Sequence, residues 1–232
     1  MKQSSLTLYF LMVLSIMFGS CQREDTFLGV EPLSGSKFVK DAPELKGLGP
    51  WINSEPFTLE DQKGKVVLID FWTYTCINCI RTLPYLMDWH EKYSNRGLVI
   101  LGVHAPEFEF EKLTKNVQES VRRFGIEYPV AQDNSMVTWD VFSNRYRPAK
   151  YILDQNGAVR YQHFGEGSYG ETESIIRALL TDAGYDVSDI GFSFDLRDSE
   201  ITSSEHRKNQ TRELYTGTYR NYTANPFHPP YV

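Results

Sequence analysis

Cysteines at positions 76 and 79 enclose two residues, Cys76-Ile77-Asn78-Cys79. Thiols at that spacing can bond to each other or trade places with the sulfurs of another disulfide. They follow directly on Val66-Val67-Leu68-Ile69-Asp70-Phe71-Trp72, a run so rich in β-branched and aromatic residues that it reads as a buried strand. The stretch from Ile80 to Tyr93 reads as a helix. A strand-to-helix junction places the first sulfur at a helix N-terminus, where unpaired backbone N–H groups and the positive end of the macrodipole favour thiolate over thiol. A thiolate attacks disulfides, and a second thiol two residues on can displace it afterwards. The chemistry implied is thiol–disulfide exchange.

A zinc site is a rival for any cysteine pair, but no second pair and no nearby His at ligand spacing completes one. His90, His104, His163, His206 and His228 are dispersed and read as structural or surface groups. No metal and no cofactor is expected beyond the redox-active 76–79 pair itself. The net charge of −6 over 232 residues, with no block of Lys or Arg, argues against a nucleic-acid partner.

The N-terminus has a different character. Lys2 precedes an apolar stretch from Leu6 to Phe18, then Gly19-Ser20-Cys21 and the polar Gln22-Arg23-Glu24-Asp25. A basic start, an apolar region of roughly 7–15 residues and small residues before a cut site make a secretory signal. A spanning helix needs about 20 apolar residues, so export is the reading. The segment also resembles bacterial lipoprotein signals, in which a cysteine after two small residues is acylated. That family prefers Leu where this chain has Phe18. The resemblance implies lipidation at Cys21 and a domain tethered to a membrane, on the periplasmic or cell-surface side. It also accounts for the odd third cysteine, which an oxidising compartment would otherwise leave unpaired.

The expected organisation is a signal peptide over 1–20, a tether over 21–46, one domain over 47–184 and an extension over 185–232. Within the domain, Leu48–Leu59 reads as a short hairpin around Trp51, Ile52, Phe57 and Leu59. Asn95-Arg96-Gly97 stops the first helix, and Leu98–Val103 is a second buried strand. Leu113, Val117, Val121 and Phe124 fall at helical spacing. Pro129–Ala131 is a short strand and Met136–Phe142 a short helix. Asp154-Gln155-Asn156-Gly157 joins Lys150–Leu153 to Ala158–His163 as a hairpin, since Asn-Gly is a strong turn signal. Ile175, Ile176, Leu179 and Leu180 mark a last helix over Glu171–Ala183. Alternating elements followed by a hairpin imply an α/β fold, a mixed central sheet with helices on both faces. Glu107, Glu109 and Glu111, alternating with Phe108 and Phe110, read as a solvated loop.

These features together resemble the thioredoxin-like fold. Asp70 lies six residues before Cys76, where that family carries a buried acid; Trp72 lies four before it, and Pro84 eight after. Arg147-Pro148, just before a strand, matches the place of the family's cis-proline. The segment Phe71–Tyr85 is similar to the thioredoxin-like domain of DipZ-type proteins, relatives of the TlpA/ResA group, as are Arg147–Asp154 and His163–Gly167. Glu213–Tyr219 is faintly similar to the opening of a further domain in such proteins. The resemblance implies an extracytoplasmic thiol–disulfide oxidoreductase, working in the reducing direction on disulfide-bearing protein substrates and supplied by a membrane electron-donor protein. It implies Cys76 as the attacking thiolate, Cys79 as the resolving thiol and Asp70 as the proton carrier beneath them. It implies a substrate-binding group of Trp72, Arg147 and Pro148, in which the Arg147 backbone, turned by a cis Pro148, would meet a substrate strand and Trp72 would shape the surface around the sulfurs. Two alternatives stay open. A peroxidase of the AhpC/TSA type has a Thr three residues before its cysteine, which Thr73 satisfies, and a Pro seven before, which Ile69 does not. A copper-binding chaperone could use paired soft thiolates, although such proteins space their cysteines by three residues and add a later His.

Overall fold

The run Val66–Trp72 is buried at every position, because it forms the middle of a sheet covered on both faces. The computed structural model describes residues 40–193. The proposed signal, Cys21, most of the tether, and the extension from 194 onward with Glu213–Tyr219 lie outside the described residues.

In chain order the elements are β1 (Lys40–Asp41), β2 (Trp51–Ile52), β3 (Val66–Trp72), α1 (Ile77–Tyr93), β4 (Leu98–His104), α2 (Thr114–Phe124), β5 (Val130–Gln132), α3 (Val137–Val141), β6 (Ala149–Leu153), β7 (Ala158–Phe164) and α4 (Tyr169–Asp182). They build a seven-stranded sheet of order β1-β7-β6-β3-β4-β5-β2. β3, β4 and β5 run parallel, whereas β6 pairs antiparallel with β3 and β7 antiparallel with β6. The mixed α/β architecture is the one expected. The two parallel crossovers step the same way across the sheet, so the right-handed rule places α1 and α2 on one face. Side chains alternate along β3. Val67, Ile69 and Phe71 enter a core with Leu101, Val103, Trp139, Phe142 and Tyr151, where the Phe71 ring meets Trp139 and Phe142 edge-on at 5.7 and 5.6 Å. Asp70 and Trp72 point to the opposite face.

Several expectations need correction. Leu48–Leu59 is not a hairpin; Trp51 and Ile52 pair instead with Ala131 and Val130 of β5. The domain begins before residue 47. Lys40–Asp41 adds an edge strand to β7, the Ala42 N–H donates to the Gly157 carbonyl at 3.0 Å, and Lys46 exchanges hydrogen bonds with the Thr138 hydroxyl. It also ends after 184. Arg177 on α4 donates to the carbonyls of Val187 and Ile190 at 2.8 and 2.7 Å, and Ser193 N–H donates to the Glu173 carboxylate. Tyr185 folds back so far that its ring occupies the space a Cβ of Gly97 would fill, 2.3 Å away, and Gly97 has φ +87°. Only glycine suits that turn. Leu113 is 58% exposed because α2 starts one residue later, leaving Val117 and Val121 as its buried positions.

Candidate active site

Helix α1 begins one turn earlier than the apolar periodicity indicated, and Cys76 is its N-cap. The Cys76 Sγ accepts the Cys79 backbone N–H at 3.3 Å, a bond that satisfies one of the orphan donors of the first turn. No acidic side chain lies in that turn to offset the dipole. Cys76 is partly exposed and Cys79 buried, both as free thiols.

Their environments drive the two sulfurs apart. A hydrogen bond from the Cys79 thiol is the main cause that lowers Cys76 to about 7; burial and the Glu107 charge oppose it, and the N–H groups of Cys79 and Asn78 reinforce it. Burial, together with the hydrogen bond and charge of Cys76, pushes the Cys79 thiol far above its ordinary range. One proton is thus held on the inner sulfur, and the negative charge sits on the outer, reachable one.

Asp70 lies on the same sheet face as the dithiol, and its charge acts on Cys79. It is 1% exposed, and burial raises its carboxyl to about 7, with the Lys150 charge opposing the rise. Lys150 sits opposite Asp70 in the β3–β6 register, fully buried, its ammonium pulled down by the same desolvation. The Nζ–Oδ1 separation is 3.9 Å, and neither atom has a hydrogen-bond partner among the described residues. A carboxyl that titrates near neutrality under a buried thiol can take or return a proton. Lys150 escaped the sequence reading, although a lysine inside the apolar run Ala149–Leu153 was a visible anomaly.

Pro148 follows a cis peptide bond, in keeping with the resemblance. The Arg147 carbonyl oxygen stands 3.9 Å from Cys76 Sγ. The Arg147 guanidinium turns away from the sulfur, donating to the carbonyls of Ala105 and Pro106 at 2.7 and 3.1 Å and lying 4.2 Å over the Trp139 ring. Its backbone is therefore the part offered to a ligand. Trp72 is a correction. It is fully buried, packed edge-on to His104 at 5.4 Å, so it shapes the core below the site and has no surface for a substrate to touch. Pro84 lies within α1, as expected.

Glu111 is a second correction. It is buried rather than solvated, with its carboxylate accepting the Thr75 hydroxyl and the N–H groups of Glu107 and Phe108 at 2.5 and 2.9 Å. Burial alone would raise that carboxyl; the bonds from Thr75, Thr73 and the backbone outweigh it and leave it lowered. Beside it His104 is fully buried, with Nε2 3.2 Å from the Thr73 hydroxyl. Burial is the main cause that lowers its ring to about 4. Side chains of 73, 74 and 75 are thus all engaged by the strand and loop alongside, which fixes the approach to Cys76.

An outer sulfur carrying charge and an inner one carrying its proton, on this sheet, make a dithiol site suited to thiol–disulfide exchange on a thioredoxin-like fold. The chain's family follows from sequence. Residues 40–162 match the AhpC/TSA family, and the chain belongs to it. Protein DipZ of Mycobacterium tuberculosis (strain CDC 1551 / Oshkosh) is 48% identical over 145 residues, 61% of this chain and 21% of that protein. The match therefore spans about a fifth of that relative's length. The thiol-disulfide oxidoreductase YkuV of Bacillus subtilis (strain 168) is 33% identical over 135 residues, covering 58% of this chain and 88% of the relative. Among solved structures, a thioredoxin-like protein in its oxidized form superposes with a TM-score of 0.58 at 28% identity, covering 63% of this chain and 98% of the other.

Proposed function

We propose that this domain reduces disulfide bonds of protein substrates outside the cytoplasm, held to a membrane by lipid on Cys21 and recharged by a membrane electron-donor protein. The observation that carries the exchange chemistry is the Cys76 sulfur at the α1 N-cap, accepting the Cys79 N–H at 3.3 Å with Cys79 buried behind it. The Cys76 thiolate attacks one sulfur of a substrate disulfide, forming a mixed disulfide and expelling the other sulfur as a thiolate. Cys79 then gives its proton to the Asp70 carboxylate and attacks the Cys76 sulfur. The Cys76–Cys79 disulfide forms, and the second substrate sulfur leaves and is protonated. Two electrons pass to the substrate, and the donor must return two for the next turnover. Lys150 opposes the rise in the Asp70 pKa, which keeps the carboxylate available to receive that proton at neutral pH. The DipZ and YkuV relatives support this reading, as does the apolar exported-type start of the chain. Among the described residues no helix is long and apolar enough to cross a membrane.

The equilibrium reduction potential of the 76–79 pair tests the direction. A value near about −270 mV or below supports a reductase, and one near about −120 mV indicates an oxidant instead. The AhpC/TSA match favours one second reading, a thiol peroxidase, in which Cys76 thiolate attacks hydrogen peroxide to give a sulfenic acid and hydroxide. Peroxide consumption by the reduced protein, without any disulfide substrate, would favour that chemistry.

A further inference from the structure

Between β4 and α2 runs Glu107-Phe108-Glu109-Phe110-Glu111-Lys112, and the exchange steps use none of it. Its side chains invert the usual arrangement. Phe108 and Phe110 are half exposed, at 51% and 50%, and stack on each other with ring centres 5.5 Å apart and planes within 5°. Glu111 is buried instead. Burying a carboxylate is unfavourable unless donors replace its water. The donors here, Thr75 Oγ1 and the N–H groups of Glu107 and Phe108, belong to two separate segments. The carboxylate therefore ties the loop to the residue just before Cys76. Tyr74 adds a rivet, its ring stacked on His104 at 5.5 Å and its hydroxyl donating to the Phe110 carbonyl at 3.3 Å. The phenyl pair is thereby held on a loop bonded to Tyr74 and Thr75, the two residues before Cys76, with Ile77, also exposed, the next residue after it.

We propose that Glu111 is a positioning residue whose buried carboxylate latches this loop to Thr75, so that Phe108 and Phe110 form the recognition surface for an extended disulfide-bearing peptide segment with aromatic and basic residues beside its cysteine. The proposal rests on the exchange reading above. Exposed aromatic rings gain by covering another aromatic or apolar side chain. The loop carries three carboxylates against one lysine, Lys112, which is ion-paired to Glu109 at 2.6 Å. A cationic neighbour is therefore attracted and an acidic one repelled. An extended segment suits the geometry, because the Arg147 carbonyl, 3.9 Å from Cys76 Sγ, can accept a backbone N–H.

The test uses two disulfide-linked peptides, one with its cysteine flanked by Phe and Lys, the other by Ser and Glu. Pre-reduced full chain is mixed with each, and the second-order rate constants give a preference ratio. Wild type is expected to favour the Phe/Lys peptide at least tenfold, and F108S/F110S to cut that ratio at least fivefold. E111A should lower it likewise. E111Q should restore it, since the amide oxygen can accept the two N–H groups and the NH2 can donate to the Thr75 hydroxyl. E111A removes a buried group and can unfold, so the F108S/F110S pair, on exposed rings, carries the test by itself. A wild-type ratio near one, or an unchanged ratio in F108S/F110S, overturns the recognition surface, and an E111Q defect equal to that of folded E111A overturns the latch. A wild-type chain that reacts with neither peptide overturns the exchange reading itself.

Discussion

Asp70→Asn keeps the shape of a buried side chain and removes its titration. Burial holds the Asp70 carboxyl at about 7 in the folded chain, against 3.8 for an exposed one, with Lys150 opposing the rise. From about pH 4 to pH 7 the native state therefore keeps a proton that the unfolded chain has lost. Stability falls with rising pH wherever the native state binds more protons. The interval from 3.8 to about 7, at about 1.36 kcal/mol per pH unit, amounts to about 4 kcal/mol. At pH 4 both proteins are uncharged at this position, so their difference starts near its smallest value. By pH 8 the variant should have gained about 4 kcal/mol relative to wild type. His104 works in the opposite sense. Its ring is lowered to about 4 from 6.5, mainly by burial, so it makes stability rise with pH over that interval. It is present in both proteins and cancels in the difference. Urea unfolding of both at pH 4.5, 6 and 8 measures the effect. A difference in unfolding free energy that does not change with pH would refute the reasoning.

Two further outcomes follow from the same geometry. Alkylation of Cys76 by iodoacetamide, followed by mass spectrometry, should reach half its maximal rate near pH 7, where the bonds from Cys79 and the helix N–H groups place its ionisation; a midpoint at about 8.5, that of a free thiol, would contradict it. Gly102→Ala should lose about 1–3 kcal/mol in thermal unfolding through overpacking, because the new methyl would stand 3.0 Å from Trp72 Nε1 and 3.2 Å from Tyr128 Cε2. Unchanged stability would show that the packing there yields.

Much of this arrangement was legible in local pattern. Val66–Trp72 announced a strand covered on both faces because seven consecutive positions could all be buried, and Asn156-Gly157 announced the β6–β7 turn. The dithiol and Asp70 were readable because their spacing is short and lies within one strand and the helix after it. What escaped depends on partners distant in sequence. The burial of Glu111 is set by Thr75, 36 residues earlier, and its alternation with Phe108 and Phe110 looks locally like a solvated loop. The pairing of Lys150 with Asp70 depends on the β3–β6 register, which no single run of residues encodes. The spacing of Trp72 from Cys76 places it near the sulfurs in sequence, but the pleat of β3 and the neighbouring His104 seal it inside. Residues 40–46 and 185–193 lack strong periodicity, and their order comes from backbone bonds to β7, Thr138 and Arg177 rather than from their own composition.

The most direct test is to incubate pre-reduced C79S with a disulfide-linked peptide and weigh the products. Without the inner sulfur the first step proceeds and the second stops, so the chain should accumulate as a peptide adduct at Cys76, while C76S under the same conditions accumulates none. A C79S protein that forms no adduct, or an adduct of equal yield in C76S, would contradict the division of roles between the two sulfurs.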